Sequence, residues 1–161
     1  MIINGSLLIF IVGLALATVI CSTVWAQNSS PKPVSFVPDA VKWSDSPVLL
    51  PDGKIAVLAG EPLKAGLYAF RLKFPPNFKV MPHSHPEERI YIVIAGTWYI
   101  GLEDKFDPAR LEAFPAGLLY VVPANITHFH WAKSGESIVQ ISAAGPTATN
   151  DVNPADDPRN K

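Results

Sequence analysis

Sixteen prolines and ten glycines are spread along these 161 residues, so the chain is punctuated at short intervals. Inside a helix a proline removes a hydrogen bond and collides with the carbonyl four residues back, which rules out long helices here. The runs between the prolines and glycines are rich in Val, Ile, Tyr and Phe, residues that suit a pleated, half-buried strand. The chain therefore reads as all-β, with strands expected at 55–58, 67–74, 90–95, 97–102, 118–122, 127–131 and 138–143. Strands this short, at this spacing and without a repeat of 20 to 50 residues, point to a sandwich or closed barrel. Turns are expected at Pro51-Asp52-Gly53, Pro115-Ala116-Gly117 and Pro123-Ala124-Asn125, with Gly96 as a hairpin turn. One stretch breaks the pattern. Asp107 as N-cap and Pro108 at the first helical position predict a short helical excursion over 107–113, lying on the surface.

Residues 1–26 carry no charged side chain and contain the apolar run 7–20, which is shorter than the roughly 20 residues a transmembrane helix needs. The run is followed by Val24-Trp25-Ala26, a pattern expected of a secretory signal peptide cleaved after Ala26. Its opening, Met1 to Ser6, departs from that pattern in lacking Lys or Arg, and the alternative is a membrane anchor retained through 7–25. Cleavage would remove Cys21, the one cysteine, so no disulfide framework is expected in a secreted or periplasmic product. Residues 27–38 read as a flexible lead-in, 39–145 as one β domain, and 146–161 as a polar, proline-rich tail expected to pack loosely or not at all. Thirteen basic against fourteen acidic side chains give a formal net charge of -1. No basic stripe exists to neutralise phosphates, which argues against a nucleic-acid partner.

The four histidines fall in two pairs of identical spacing, His83 with His85 and His128 with His130. Side chains two apart on a strand share a face, roughly 6.5 Å apart along the backbone, so each pair can present two imidazoles to one ion. Imidazole is the commonest ligand for borderline divalent metals. Glu87 and Glu88 follow the first pair, but Pro86 breaks the strand between them, so strand parity does not carry across to either carboxylate.

Two motifs resemble those of the cupin superfamily. The first is His83-Ser84-His85 followed by Glu87-Glu88 and Gly96; the second is Pro115-Ala116-Gly117, a strand, Pro123 and then His128. The likeness covers about 67–143 and implies a double-stranded β-helix, or jelly-roll barrel, holding one metal on His83, His85, His128 and a carboxylate. The sequence departs from the pattern at that carboxylate. Counting back from Gly96, its usual place is held by Arg89, which has no lone pair to offer a cation. Either Glu88, or less readily Glu87, swings inward, or the site is a three-histidine one, with His130 as an alternative further ligand. His130 could equally support a ligand or face the substrate as an acid-base group.

Arg89 has two readings. Pointing inward it would favour an anionic ligand through bidentate pairing, and pointing outward it would bridge Glu87 or Glu88 at the surface. Tyr91 and Trp98 are candidates, with Arg89, for a substrate pocket, whereas alternation must turn about half of the neighbouring aromatics Tyr99, Phe129 and Trp131 outward. The resemblance implies a mononuclear Fe, Mn, Ni, Cu or Zn centre with open positions, hence Lewis-acid or oxygen chemistry on a small organic substrate. The same residues suit a non-catalytic module that binds or senses a metal or small ligand. A homodimer paired through a strand edge is a further expectation of the resemblance.

Overall fold

Each proline- or glycine-bounded run becomes a strand because it has one face to bury and few helix-forming residues to compete. The computed structural model describes residues 33, 35–37, 40–46, 49 and 52–160. Contacts divide the chain into Met1–Pro33 and Val34–Lys161. The expected export leader (1–26), its alternative as an anchor (7–25) and most of the lead-in (27–38) lie outside the described residues. Among the described residues no helix is long and apolar enough to cross a membrane.

The second unit is a jelly-roll barrel, with eleven antiparallel strands among the described residues. They are β1 (Ser44–Asp45), β2 (Lys54–Ala59), β3 (Gly66–Phe74), β4 (Lys79–Ser84), β5 (Arg89–Ala95), β6 (Thr97–Gly101), β7 (Glu112–Pro115), β8 (Leu119–Val122), β9 (His128–Trp131), β10 (Ser137–Gly145) and β11 (Asn150–Asp151). One sheet runs β1-β2-β3-β10-β5-β8 and the other β11-β4-β9-β6-β7. Alternation along β5 buries Arg89, Tyr91 and Val93 and turns Ile90 and Ile94 outward. The inner faces meet in an aromatic core in which Phe74 of one sheet stacks on Trp98 of the other, with centroids 4.4 Å apart. Tyr91 stacks on Tyr120 at 4.8 Å. Full burial of a large apolar side chain of this kind contributes about 1.5–3 kcal/mol.

Three expectations need correction. Gly96 is not a hairpin turn, because β5 and β6 belong to different sheets and do not pair. It is the corner at which the chain passes from one sheet to the other, with φ 74°. A Cβ there would lie 2.2 Å from the Glu136 carbonyl oxygen. The helical excursion shrinks to one 3-10 turn, Pro108–Arg110, capped by the Asp107 carboxylate on the Ala109 amide. Glu112 and Ala113 are claimed by β7, because pairing with the edge of β6 satisfies their backbone and sets Phe114 against Tyr120 at 4.9 Å. The segment lies on the surface as expected, with no buried residue in 107–113, and just before it Phe106 covers the fully buried Phe129 at 5.0 Å.

The third correction concerns the C-terminal residues. Far from packing loosely, they add β11 to the second sheet, pairing Asp151 with His83 and Asn150 with Ser84. Further hydrogen bonds run from the Thr147 amide to the Pro62 carbonyl and from the Val152 amide to the Pro82 carbonyl. The edge of β4 leaves backbone groups unpaired, and a polar strand satisfies them as well as an apolar one.

Gly117, in a turn, and Gly96, at the corner between sheets, separate conformational strain from steric exclusion. Gly117 has φ 91° with nothing within 4 Å of a built Cβ, so Gly117→Ala should cost about 1–2 kcal/mol, the left-handed penalty alone. Gly96→Ala should cost roughly 1–3 kcal/mol more, because backbone must also move. Urea unfolding of the two variants measures the difference, and equal costs would contradict the corner role of Gly96.

Candidate metal centre

Neighbouring strands of one sheet deliver the two histidine pairs to one place. β4 carries His83 and releases His85 just past its end, while β9 carries His128 and His130 on its inner face. Between β4 and β9 the register slips, Val80 facing His130 but His83 facing His128. The extra residue makes a bulge around Met81-Pro82, where proline's missing donor costs nothing and a side chain can be re-aimed. Ring centroids lie 4.8 Å apart for His83 and His85, 4.5 Å for His83 and His128, and 5.2 Å for His85 and His128. One ring nitrogen from each lies within 4.8 Å of the others, and all three residues are buried.

The second ring nitrogen of each histidine has a backbone partner. His83 Nδ1 donates to Met81 O at 2.7 Å, His85 Nδ1 to Ala148 O at 2.8 Å, and His128 Nδ1 to Ile126 O at 2.9 Å. A carbonyl only accepts, so the proton of each neutral imidazole sits on Nδ1 and the lone pair on Nε2. Burial also keeps the rings neutral. It pushes His83 down to about 3, with help from His128 and Arg89, and His128 down to about 4, with help from Arg89. Burial and then Arg89 likewise lower His85. Three neutral nitrogen donors form a set that suits a borderline divalent transition ion.

Among the described residues no carboxylate joins the set. Glu88 is exposed and lines a groove outside the barrel, so the structure does not bring it to the histidines. Glu87 turns inward, but its Oε1 is taken by Tyr68 Oη at 2.8 Å, Arg89 Nε at 2.8 Å and the Thr147 hydroxyl. Burial alone would raise the Glu87 carboxyl; Thr147, Arg89 and Tyr68 together hold it below the usual range. Tyr68 is pushed up to about 12, chiefly by burial.

Arg89 combines the two readings its sequence position allowed. It points inward and is 7% exposed, and it pairs with Glu87 inside the barrel rather than at the surface. Its Nη1 donates to His85 Nε2 at 2.8 Å, and its Nη2 bonds the Thr147 hydroxyl. His130 lies beside the cluster, 4.9 Å from His128 and stacked on Trp98 at 4.9 Å, but outside the group of three. Its Nδ1 has no hydrogen-bond partner among the described residues. Burial and then the neighbouring histidines lower it well below the usual histidine range.

Tyr91 and Trp98 line a cavity of about 530 Å³ together with His83, His85, Arg89 and His130. Phe70, Leu72, Phe74, Val139 and Ile141 supply apolar wall. Phe129 faces away beneath Phe106, and Trp131 turns to the same outer side, where Lys79 and Lys133 lie over its ring. Tyr68, Thr147 and Ala148 have roles in the site that sequence reasoning missed. Parity counted back from Tyr91 would have turned Arg89 inward, whereas the polar tail gives no pattern by which Thr147 or Ala148 could be found.

The comparisons agree with this geometry. The sequence matches the Cupin family over residues 60–157, and the chain belongs to that family. It is 25% identical over 126 residues to germin-like protein 9-2 of Oryza sativa subsp. japonica, an alignment covering 78% of this chain and 53% of that protein. The chain thus spans about half the length of the curated relative it matches. Among solved structures, the polyketide cyclase RemF of Streptomyces resistomycificus superposes with a TM-score of 0.67 at 17% identity, covering 80% of this chain and 91% of that one. KdgF of Halomonas sp. gives 0.55 at 24% identity over 68% and 92%, and the DMSP lyase DddQ of Ruegeria pomeroyi DSS-3 gives 0.55 at 18% over 74% and 71%. At these identities the likeness to solved structures is one of fold.

Neutral burial of the histidines makes stability depend on pH. The histidines named above have folded pKa values depressed below the unfolded value of about 6.5, so the unfolded chain binds more protons once pH falls below it. Stability should be fully present above about pH 6.5 and be lost at about 1.4 kcal/mol per pH unit for each such histidine as pH falls toward 4. Urea unfolding of metal-free protein between pH 7.5 and 4.5 measures this, and a flat profile would contradict neutral burial.

Proposed function

We propose that this cupin holds one divalent transition metal on His83, His85 and His128 and acts as an enzyme on a small, partly apolar organic anion. The observation that carries the reading is the cavity of about 530 Å³ lined by His83 and His85, a volume that suits a small-molecule ligand. A structural metal site would be closed by its own ligands instead. When bound, the metal supplies Lewis acidity or oxygen activation.

The side chains of the barrel do the rest. Met81, Ala148 and Ile126 fix the three imidazoles by their Nδ1 protons, so the Nε2 atoms face the site without any turn of the rings. Phe70, Leu72, Phe74, Val139 and Ile141 exclude water and hold the apolar part of the substrate. Glu87 and Arg89 cancel each other's charge, so three neutral ligands leave the ion's positive charge to be balanced by an anion. His130 lines the cavity and has no partner at Nδ1 among the described residues, which supports a role in hydrogen-bonding the substrate in this reading. Residues 1–26 act in this reading as an export leader, which gives the protein a periplasmic or extracellular site of action.

Protein purified without a histidine tag should carry close to one equivalent of Fe, Mn, Ni, Cu or Zn by elemental analysis. His83→Ala and His85→Ala should each lose it. An empty wild-type protein that also refuses all five added ions would sink the proposal. Turnover of carboxylic acids and phenols by the loaded protein is expected; tight binding without turnover would instead favour a ligand-binding module. Exported protein should begin at Gln27 by N-terminal sequencing, while an intact Met1 on a membrane-bound product would point to an anchor.

A further inference from the structure

We propose that Arg89 is an internal competitor of the metal, its guanidinium occupying the metal-facing nitrogen of His85 so that loading the centre requires this arginine to let go. The inference rests on the reading of His83, His85 and His128 as the ligand set. With the His85 Nδ1 proton committed to Ala148 O, its Nε2 is an acceptor, and Arg89 Nη1 fills it at 2.8 Å. One lone pair serves either an N–H donor or a metal ion. Arginine has donors only and stays protonated, so the cap does not lift by losing a proton.

The cap is also built in. Arg89 Nε and Nη2 both lie 2.8 Å from Glu87 Oε1, and Nη2 bonds the Thr147 hydroxyl. Tyr68 Oη and Thr147 hold the same carboxylate oxygen in place. The guanidinium is thereby anchored on its far side and delivers Nη1 to His85. Nothing comparable closes His128, whose Nε2 faces the Tyr91 hydroxyl at 3.5 Å, too long for a strong bond.

The free energy needed to displace the cap lowers the wild-type affinity for every divalent ion by the same factor. At a given free metal concentration, ions early in the Irving–Williams order then fail to fill the site first, and ions that bind imidazole strongly remain. Arg89 would thus set the threshold that decides which metal is resident, from the position where the family pattern places a metal-binding carboxylate.

The test is a competition titration of the purified full chain against a chelating dye, with Zn2+ and then Mn2+. Arg89→Met, which keeps the length and removes the donors, should bind both ions roughly ten- to a hundredfold more tightly than wild type, the scale of one charge-assisted hydrogen bond. Thr147→Val, which loosens the anchor and leaves the arginine and all histidines intact, should move affinity the same way by a smaller factor. In metal-free protein the ring 15N NMR signal of His85 should shift in both variants, while those of His83 and His128 stay. Wild-type uptake with no gain in either variant, or an unmoved His85 signal, would overturn the cap alone. No uptake by wild type or variants would overturn the metal reading and the cap with it.

Discussion

Three hydrogen bonds from imidazole Nδ1 to backbone carbonyls set everything else at this site. Each comes from a different structural device. Met81 lies in the bulge of β4, Ile126 in the turn that precedes β9, and Ala148 in the segment that leads to β11. A side-chain partner could be swapped for another rotamer, but a carbonyl moves only with the backbone. The neutral tautomer, the ring orientation and the inward lone pairs therefore follow from the fold itself. The barrel's stability and the readiness of the site are in this sense one property, and the same burial that keeps the rings neutral makes the molecule sensitive to acid.

Charge is arranged around that neutral triad with equal economy. Arg89 and Glu87 form a buried pair in which Tyr68 and Thr147 bond the shared Glu87 Oε1, Arg89 also reaches Thr147 and His85, and Glu87 Oε2 is left without a partner among the described residues. Such a pair contributes little net stability after desolvation, so its placement is better understood through what it does to the site. It puts a cation where the cupin pattern has a metal-binding carboxylate, and neutralises it one residue pair away. Among the described residues His83, His85 and His128 are the group that could hold an ion, next to an arginine that satisfies one of them.

Much of the fold was legible because proline and glycine spacing and β-branched runs are local signals. The paired histidines were equally legible, since a period of two survives translation into a strand. What failed was of another kind. Gly96 has the composition of a hairpin turn, yet whether a glycine turns within a sheet or between two sheets depends on Glu136, 40 residues away. Glu112 and Ala113 have helical propensity, but the unpaired edge of β6 outweighs it. Thr147 and Ala148 belong to a stretch whose composition suggests a loose tail, and they matter through one hydroxyl and one carbonyl that only the packed chain brings to Arg89 and His85. Glu88, adjacent to the motif in sequence, was turned outward because alternation on β5 spends the inward position on Arg89.

The central claim is that His83, His85 and His128 alone supply the protein's ligands. Crystals of metal-loaded protein, measured on both sides of the absorption edge of the bound ion, would locate it directly by anomalous scattering. The account predicts one peak at about 2.0–2.2 Å from the Nε2 atoms of all three histidines, with no carboxylate of the chain at that distance. A peak bound through Glu87 or Glu88, or lying away from the triad, would contradict it.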